Sequence, residues 1–211
     1  MDIQGFLKQG LDEIGIDYTG SDIALLETYI HEITLWNKTY GLVKAEGKDL
    51  IIRHIFDSLA PLPLLEQMEF ATAADAGSGA GLPGIPLAVF LKDKKMTLIE
   101  RSAKRSGFLL NAVSVLNLRG RVSLNEAPVE KVTEHFDVVV FRAFRQFEEF
   151  YKPLMNLLRP GGVLFAYKGK KETILREIKM LSGDTDAEII KITVPFLENE
   201  RHILKLRKSH Q

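Results

Sequence analysis

An α/β fold on a mostly parallel sheet, entered through helices and closed by an antiparallel hairpin, is what this 211-residue sequence predicts. Three observations carry that expectation. From about residue 70, short apolar runs alternate with helix-length segments, the pattern of parallel strands covered on both faces. Residues 1–70 contain no strand candidate. The last two apolar runs are separated only by Leu197-Glu198-Asn199, a link that permits a hairpin but no parallel crossover.

Residues 2–15 and 22–40 read as helices. In the second, Ile23, Leu26, Ile30, Ile33 and Trp36 recur at helical spacing with Asn37 and Tyr40, and Ser21 is placed to cap it. A third helix is expected over 49–60, ended by Pro61 and Pro63. Residues 1–66 should therefore form a helical subdomain packed on a core of residues 67–211. The core's strand candidates are FATAAD (70–75), MTLIER (96–101), RVSLNEA (121–127), FDVVVFRAF (136–144) and GGVLFAYKG (161–169), followed by the hairpin runs 187–196 and 200–208. Helices are expected between them over 83–91, 102–118, 146–158 and 172–182. Five alternating strands finishing in a hairpin describe the seven-stranded, Rossmann-like sheet of S-adenosylmethionine (SAM)-dependent methyltransferases.

Composition excludes several chemistries. The chain has no cysteine, so disulfides, thiolate metal sites and a cysteine nucleophile are absent, which fits a reducing compartment. Its first residues, MDIQGFLKQGLDEIG, lack the basic start and apolar core of a signal peptide, and IPLAVFL (85–91) is too short to span a bilayer. A cytoplasmic protein without membrane contact is the expectation. The five histidines, at 31, 54, 135, 202 and 210, show no metal-ligand spacing, so no metal is expected and His54 reads as a local structural anchor. Net charge is zero but unevenly spread. Residues 1–70 hold 5 Lys/Arg against 12 Asp/Glu, and residues 71–211 hold 23 against 16. A basic catalytic half favours a polyanionic substrate.

The loop DAGSGAGLPGIP (75–86) admits three cofactors. A phosphate-binding P-loop has the spacing Gly79 to Gly84 but requires Lys and Ser/Thr where Ile85 and Pro86 stand. A dinucleotide loop is satisfied literally by Gly79, Gly81 and Gly84, with Glu100 placed for a ribose, yet little chain remains for a substrate domain. The third reading takes Asp75, Gly77, Gly79 and Gly81 as a SAM loop, in which glycine lets the backbone approach the methionine part closely and Glu100 accepts from the ribose hydroxyls. SAM fits best of the three.

The acceptor follows in part by elimination. Methylation of pyrimidine carbon-5 needs a cysteine adduct. Exocyclic amines usually face an Asn/Asp-Pro-Pro-aromatic loop after the fourth strand, where this chain has FRAFRQF (141–147). Guanine N7 needs neither device, because its lone pair is exposed and no proton leaves in the transfer step. Orientation and electrostatic preorganisation can then carry the chemistry.

The motifs WNKTYGL (36–42), RHIFDSLAPLPLL (53–65), DAGSGAGLPGIPLA (75–88), LIERSAKRSGFL (98–109), FDVVVFRAF (136–144), YKGK (167–170) and ERHILKL (200–206) resemble the bacterial RsmG (GidB) family. Those proteins are small-subunit ribosomal RNA guanine-N7 methyltransferases. Gly41 stands where the family often has Asn, and Phe141 where Ser is common. The resemblance implies SAM contacts at Gly77, Leu82, Val129, Glu130 and Arg142, with Arg142 also the candidate catalytic residue. From the residues alone, Arg142 would be assigned to a structural salt bridge.

RNA contacts are expected from Arg101, Lys104, Arg105, Arg142, Arg145, Lys168, Lys170 and Lys171, near the carboxyl ends of the expected strands. Phe141, Phe144 and Phe147 are candidates for base stacking or core packing. The partner implied is 16S ribosomal RNA or a small-subunit assembly intermediate, bound by a monomer. The competing readings are a SAM-dependent methyltransferase of a small molecule or protein, a nicotinamide-dependent oxidoreductase, and a noncatalytic RNA-binding protein.

Overall fold

A computed structural model describes residues 2–142, 147–181 and 186–208. Helices α1 (Ile3–Ile14) and α2 (Gly20–Tyr40) open the chain. The start of α2 is set by Thr19 rather than Ser21. The Thr19 hydroxyl accepts from the Asp22 N–H while the Asp22 carboxylate accepts from the Thr19 N–H, a reciprocal capping box.

The segment expected as one helix over 49–60 is composite. Helix α3 (Gly47–Leu50) runs into a π-helical stretch, Ile51–Phe56, and then α4 (Asp57–Leu59). The prolines do not end the helical region: α5 (Leu62–Glu66) follows Pro61 at once, because Pro63 falls in its first turn, where a missing N–H costs nothing.

The strands are β1 (Thr72–Ala76), β2 (Lys95–Ile99), β3 (Val122–Asn125), β4 (Phe136–Phe141), β5 (Leu158–Lys168), β6 (Asp186–Ile192) and β7 (Arg201–Arg207). They form one seven-stranded sheet in the order β3-β2-β1-β4-β5-β7-β6. The β1–β2, β2–β3, β1–β4 and β4–β5 pairs are parallel, and β7 runs antiparallel to both its neighbours. The hairpin link is longer than expected, spanning 193–200. Strand β5 also begins earlier than expected, since Leu158 pairs with Phe136 ahead of a register shift.

Helices α6 (Gly84–Phe90), α7 (Ala103–Val115), α8 (Phe147–Asn156) and α9 (Lys171–Met180) connect or flank the strands. Leu7, Leu26, Ile33 and Phe56 from the N-terminal helices share one apolar cluster with Ile85, Phe108, Val138 and Phe165. The opposite sheet face packs a second cluster around Val139, Phe141, Phe147, Leu154 and Leu164. Strand order reverses at the β1–β4 junction, which directs attention to the carboxyl ends of those two strands, where open α/β sheets hold ligands.

Candidate functional site

Four strands deliver the predicted residues to one rim. Asp75 stands near the end of β1 and Gly77 follows it, Glu100 follows β2, Val129 and Glu130 follow β3, and Arg142 follows β4. The glycine loop is fixed by its backbone: the Gly77 and Ser78 N–H groups both donate to the Ile99 carbonyl at 2.9 Å. Gly77, Gly79 and Gly81 all have positive φ, at +75°, +58° and +82°. Their surroundings separate their roles. A Cβ on Gly77 would meet nothing within 4 Å, whereas one on Gly81 would lie 2.5 Å from Ile85 Cδ1. Gly81 is thus required by helix packing, and the open approach expected of a cofactor loop belongs to Gly77 and Gly79. Leu82, within the loop, is buried.

Glu100 is 4% exposed and organises the rim. One carboxylate oxygen accepts from the Gly79 N–H and the other from the Ser102 N–H, both at 2.9 Å. Each oxygen keeps a lone pair, so acceptor capacity remains. Asp75 is buried more deeply. Its Oδ2 accepts from the Gly84 N–H at 2.8 Å, while Oδ1 is buried without a partner. Burial pushes its carboxyl up to about 7, against the opposing pull of the Gly84 N–H and the Arg142 charge.

Arg142 is held in a network that sequence reasoning did not assemble. Its guanidinium donates to Asp57 Oδ2 at 3.2 Å and reaches Ser58 Oγ at 3.5 Å and His54 Nδ1 at 3.4 Å. Asp57 Oδ1 accepts from Arg201 Nε at 2.7 Å, and the Tyr167 hydroxyl donates to the Ser58 carbonyl at 2.8 Å. Burial, then the Arg142 charge, lowers His54 to about 4, which fits a neutral structural imidazole. The salt bridge that the residues alone suggested for Arg142 is present. RHIFDS and ERHILKL were visible motifs, but no local signal joins Asp57 to residues on β4 and β7.

The expected RNA residues divide. Arg101, Lys104 and Arg105 are exposed at the start of α7, and Lys170 and Lys171 at the start of α9. Lys168 is engaged instead: its Nζ lies 2.7 Å from Glu177 Oε2 and 4.0 Å from the Phe147 ring centroid. Phe141 and Phe147 are buried against each other, and Phe141 also meets Phe150, so they pack the core rather than offering a stacking surface. Phe144 and Arg145 lie outside the described residues. Among the described residues no cluster of His, Asp or Glu could hold a metal, and no helix is long and apolar enough to cross a membrane.

The GidB family, described as rRNA small subunit methyltransferase G, matches residues 22–204. The chain belongs to that family. A ribosomal RNA small subunit methyltransferase G from Treponema denticola is 35% identical over 97% of this chain and 94% of its own length. Among solved structures, a Methanococcus maripaludis chain assigned to the SAM-dependent methyltransferases superposes with a TM-score of 0.63 at 16% identity, covering 93% of this chain and 97% of that one. M. jannaschii TYW2 in complex with AdoMet gives 0.55 at 19% identity, over 72% and 75%. As a member of that family the chain is a SAM-dependent methyltransferase. Its residues fit that cofactor: the open side of Gly77 is the space a Cβ would enter, and Glu100 has acceptor capacity at the adjoining strand end.

Proposed function

We propose that this enzyme transfers the methyl group of SAM to N7 of a guanosine in 16S ribosomal RNA, by direct displacement and without a covalent enzyme intermediate. The observation that carries this reading is the convergence of Gly77, Glu100 and Arg142 on one rim, in a chain whose relatives are named for the small-subunit RNA. SAM, when bound, supplies an electrophilic methyl on a sulfonium.

The chain's residues supply binding and orientation. Gly77 and Gly79 give the methionine part close backbone approach, and Glu100 accepts from the ribose hydroxyls. Val129, half-buried beside the cluster containing Ala76, Ile99 and Phe141, offers the adenine an apolar wall, with Glu130 exposed at its edge. Arg142 is a fixed donor for an oxygen of either reactant, held by Asp57 before the reactants arrive. Asp57 also offsets the Arg142 charge, which limits repulsion as the purine turns cationic. Guanine N7 loses no proton in this step, so the site needs no general base at the acceptor.

In this reading the enzyme acts as a cytoplasmic monomer on small-subunit RNA or an assembly intermediate. The test incubates purified enzyme and methyl-labelled SAM with small ribosomal subunits and naked 16S ribosomal RNA, each lacking the modification. Label recovered as N7-methylguanosine is expected. Label on another atom, or transfer only to a non-RNA acceptor, overturns the proposal.

A further inference from the structure

Of the candidate stacking phenylalanines, Phe141 and Phe147 are buried, yet an aromatic pair that reaches the surface stands on the other face of the sheet, where Trp36 packs against the first apolar cluster. Trp36 and Tyr40, one turn apart on α2, are stacked with centroids 5.1 Å apart and planes inclined by 27°. Trp36 is anchored edge-on to buried Phe108 of α7, at 5.6 Å. Tyr40 is 38% exposed, and Lys104 Nζ lies over its ring, 4.8 Å from the centroid. The Tyr29 hydroxyl of the same helix donates to the Ala80 carbonyl, so α2 is tied directly to the glycine loop. Lys104 follows Glu100 by four residues. The pair therefore adjoins the cofactor rim.

The charges beside it are cationic. Arg101, Lys104 and Arg105 are exposed around the start of α7, whose first turn holds no acid. The nearby carboxylates are engaged, Glu32 by the Asn111 amide at 2.6 Å and Glu100 by two backbone N–H groups at 2.9 Å, with the Arg105 guanidinium farther off at 3.9 Å. An aromatic surface with exposed cations at its margin, of which Arg105 alone lies within ion-pair distance of a carboxylate (Glu100, 3.9 Å), is the chemistry of single-stranded nucleic acid binding. A protein helix would need an apolar groove with acids opposite these cations, which this short stack does not provide.

We infer that Trp36 and Tyr40, with Lys104 and the arginines Arg101 and Arg105, form a stacking subsite for an unpaired nucleotide of the RNA substrate, outside the methyl-transfer centre. The base stacks on Tyr40 while Lys104 swings from the ring to a phosphate. The exchange is favourable because an exposed cation–π contact is weaker than a base–aromatic stack, and the ammonium gains an ion pair. Anchoring by Phe108 keeps the platform rigid, so little ordering is needed when RNA arrives. This inference rests on the RNA-methyltransferase reading and adds where the RNA is held.

Trp36 is the chain's one tryptophan, which makes the subsite its own reporter. The test titrates a single-stranded oligoribonucleotide into the full chain while following tryptophan emission and, separately, binding by anisotropy. Wild type should show quenching that saturates with binding. Tyr40→Ala should weaken affinity about five- to hundredfold, the loss expected for one base stack, whereas Tyr40→Phe should stay near wild type. Lys104→Gln should lower the slope of log affinity against log salt by about one phosphate contact. SAM affinity, measured on each variant, should be unchanged and reports correct folding. RNA affinity unchanged by Tyr40→Ala overturns the inference, as does a concentration-dependent dimer that Tyr40→Ala abolishes. Neither outcome touches methyl transfer to N7 by the wild type, which is measured separately.

Discussion

Asp57 and Arg142 lie 85 residues apart in the chain and 3.2 Å apart in the fold, one opening α4 just after the π-helical stretch and the other directly following β4. The same carboxylate holds Arg201 at the start of β7. One acidic residue thus pins a rim arginine from the N-terminal helices and the hairpin together. Exposure of the two partners is low, 12% for the Arg142 side chain and 7% for that of Asp57.

Removing that carboxylate leaves two guanidinium groups without their partner in a mostly buried setting. Asp57→Ala should lower unfolding free energy by about 3–5 kcal/mol, the cost of breaking a buried pair from one side. Urea denaturation measures it. Asp57→Asn, which keeps an acceptor, should lose less. A change below about 0.5 kcal/mol in Asp57→Ala would mean that the network does not hold the fold.

Asp75 should make the ligand-free protein less stable as pH rises. Its folded pKa is raised to about 7 from an ordinary value of 3.8. Between these values the unfolded chain releases a proton that the folded chain retains, so stability falls by up to about 1.4 kcal/mol per pH unit. Asp75→Asn removes this component. Comparing urea unfolding of the two proteins at pH 5 and pH 8 checks it, and an identical pH dependence would contradict it.

His54 acts with the opposite sign. Its folded pKa is lowered to about 4 from 6.5, so its contribution is present above the unfolded value and is lost as pH falls from 6.5 towards 4. Over that window the two groups oppose each other, and Asp75→Asn should unmask the acid loss. Two-dimensional NMR of the imidazole should place the His54 titration well below the ordinary histidine range. A midpoint near 6.5 would show that Arg142 and burial do not act on it.

Glu100→Ala should weaken SAM binding by about ten- to hundredfold, from the loss of hydrogen bonds to a carboxylate. It also frees the Gly79 and Ser102 N–H groups, so the loop loses its tether. Isothermal titration of the folded variant gives the affinity. Wild-type affinity would place the ribose elsewhere.

The sheet was legible because each strand announces itself locally, as VVVF does in β4, and because the alternation with helices forces parallel pairing. Helix α2 was legible as a helix, yet its cap is Thr19 because the decisive bonds join Thr19 to Asp22. The π-helical stretch was not legible. Its residues are periodic like those of any helix, and His54 in it, with Asp57 and Ser58 just after it, is committed to partners following β4 and on β5 and β7 that local pattern cannot reveal. The glycine spacing marked the loop but could not tell Gly77, open to a ligand, from Gly81, pressed on Ile85. Lys168 looked like a free cation because Glu177, its partner, lies on the following helix.

Nucleoside mass spectrometry of 16S ribosomal RNA from a strain deleted for this enzyme reads the proposed methyl transfer in the cell. One N7-methylguanosine should disappear from that strain, the wild-type enzyme should restore it, and Arg142→Ala should restore it poorly. An unchanged N7-methylguanosine level in the deletion strain would contradict the proposal.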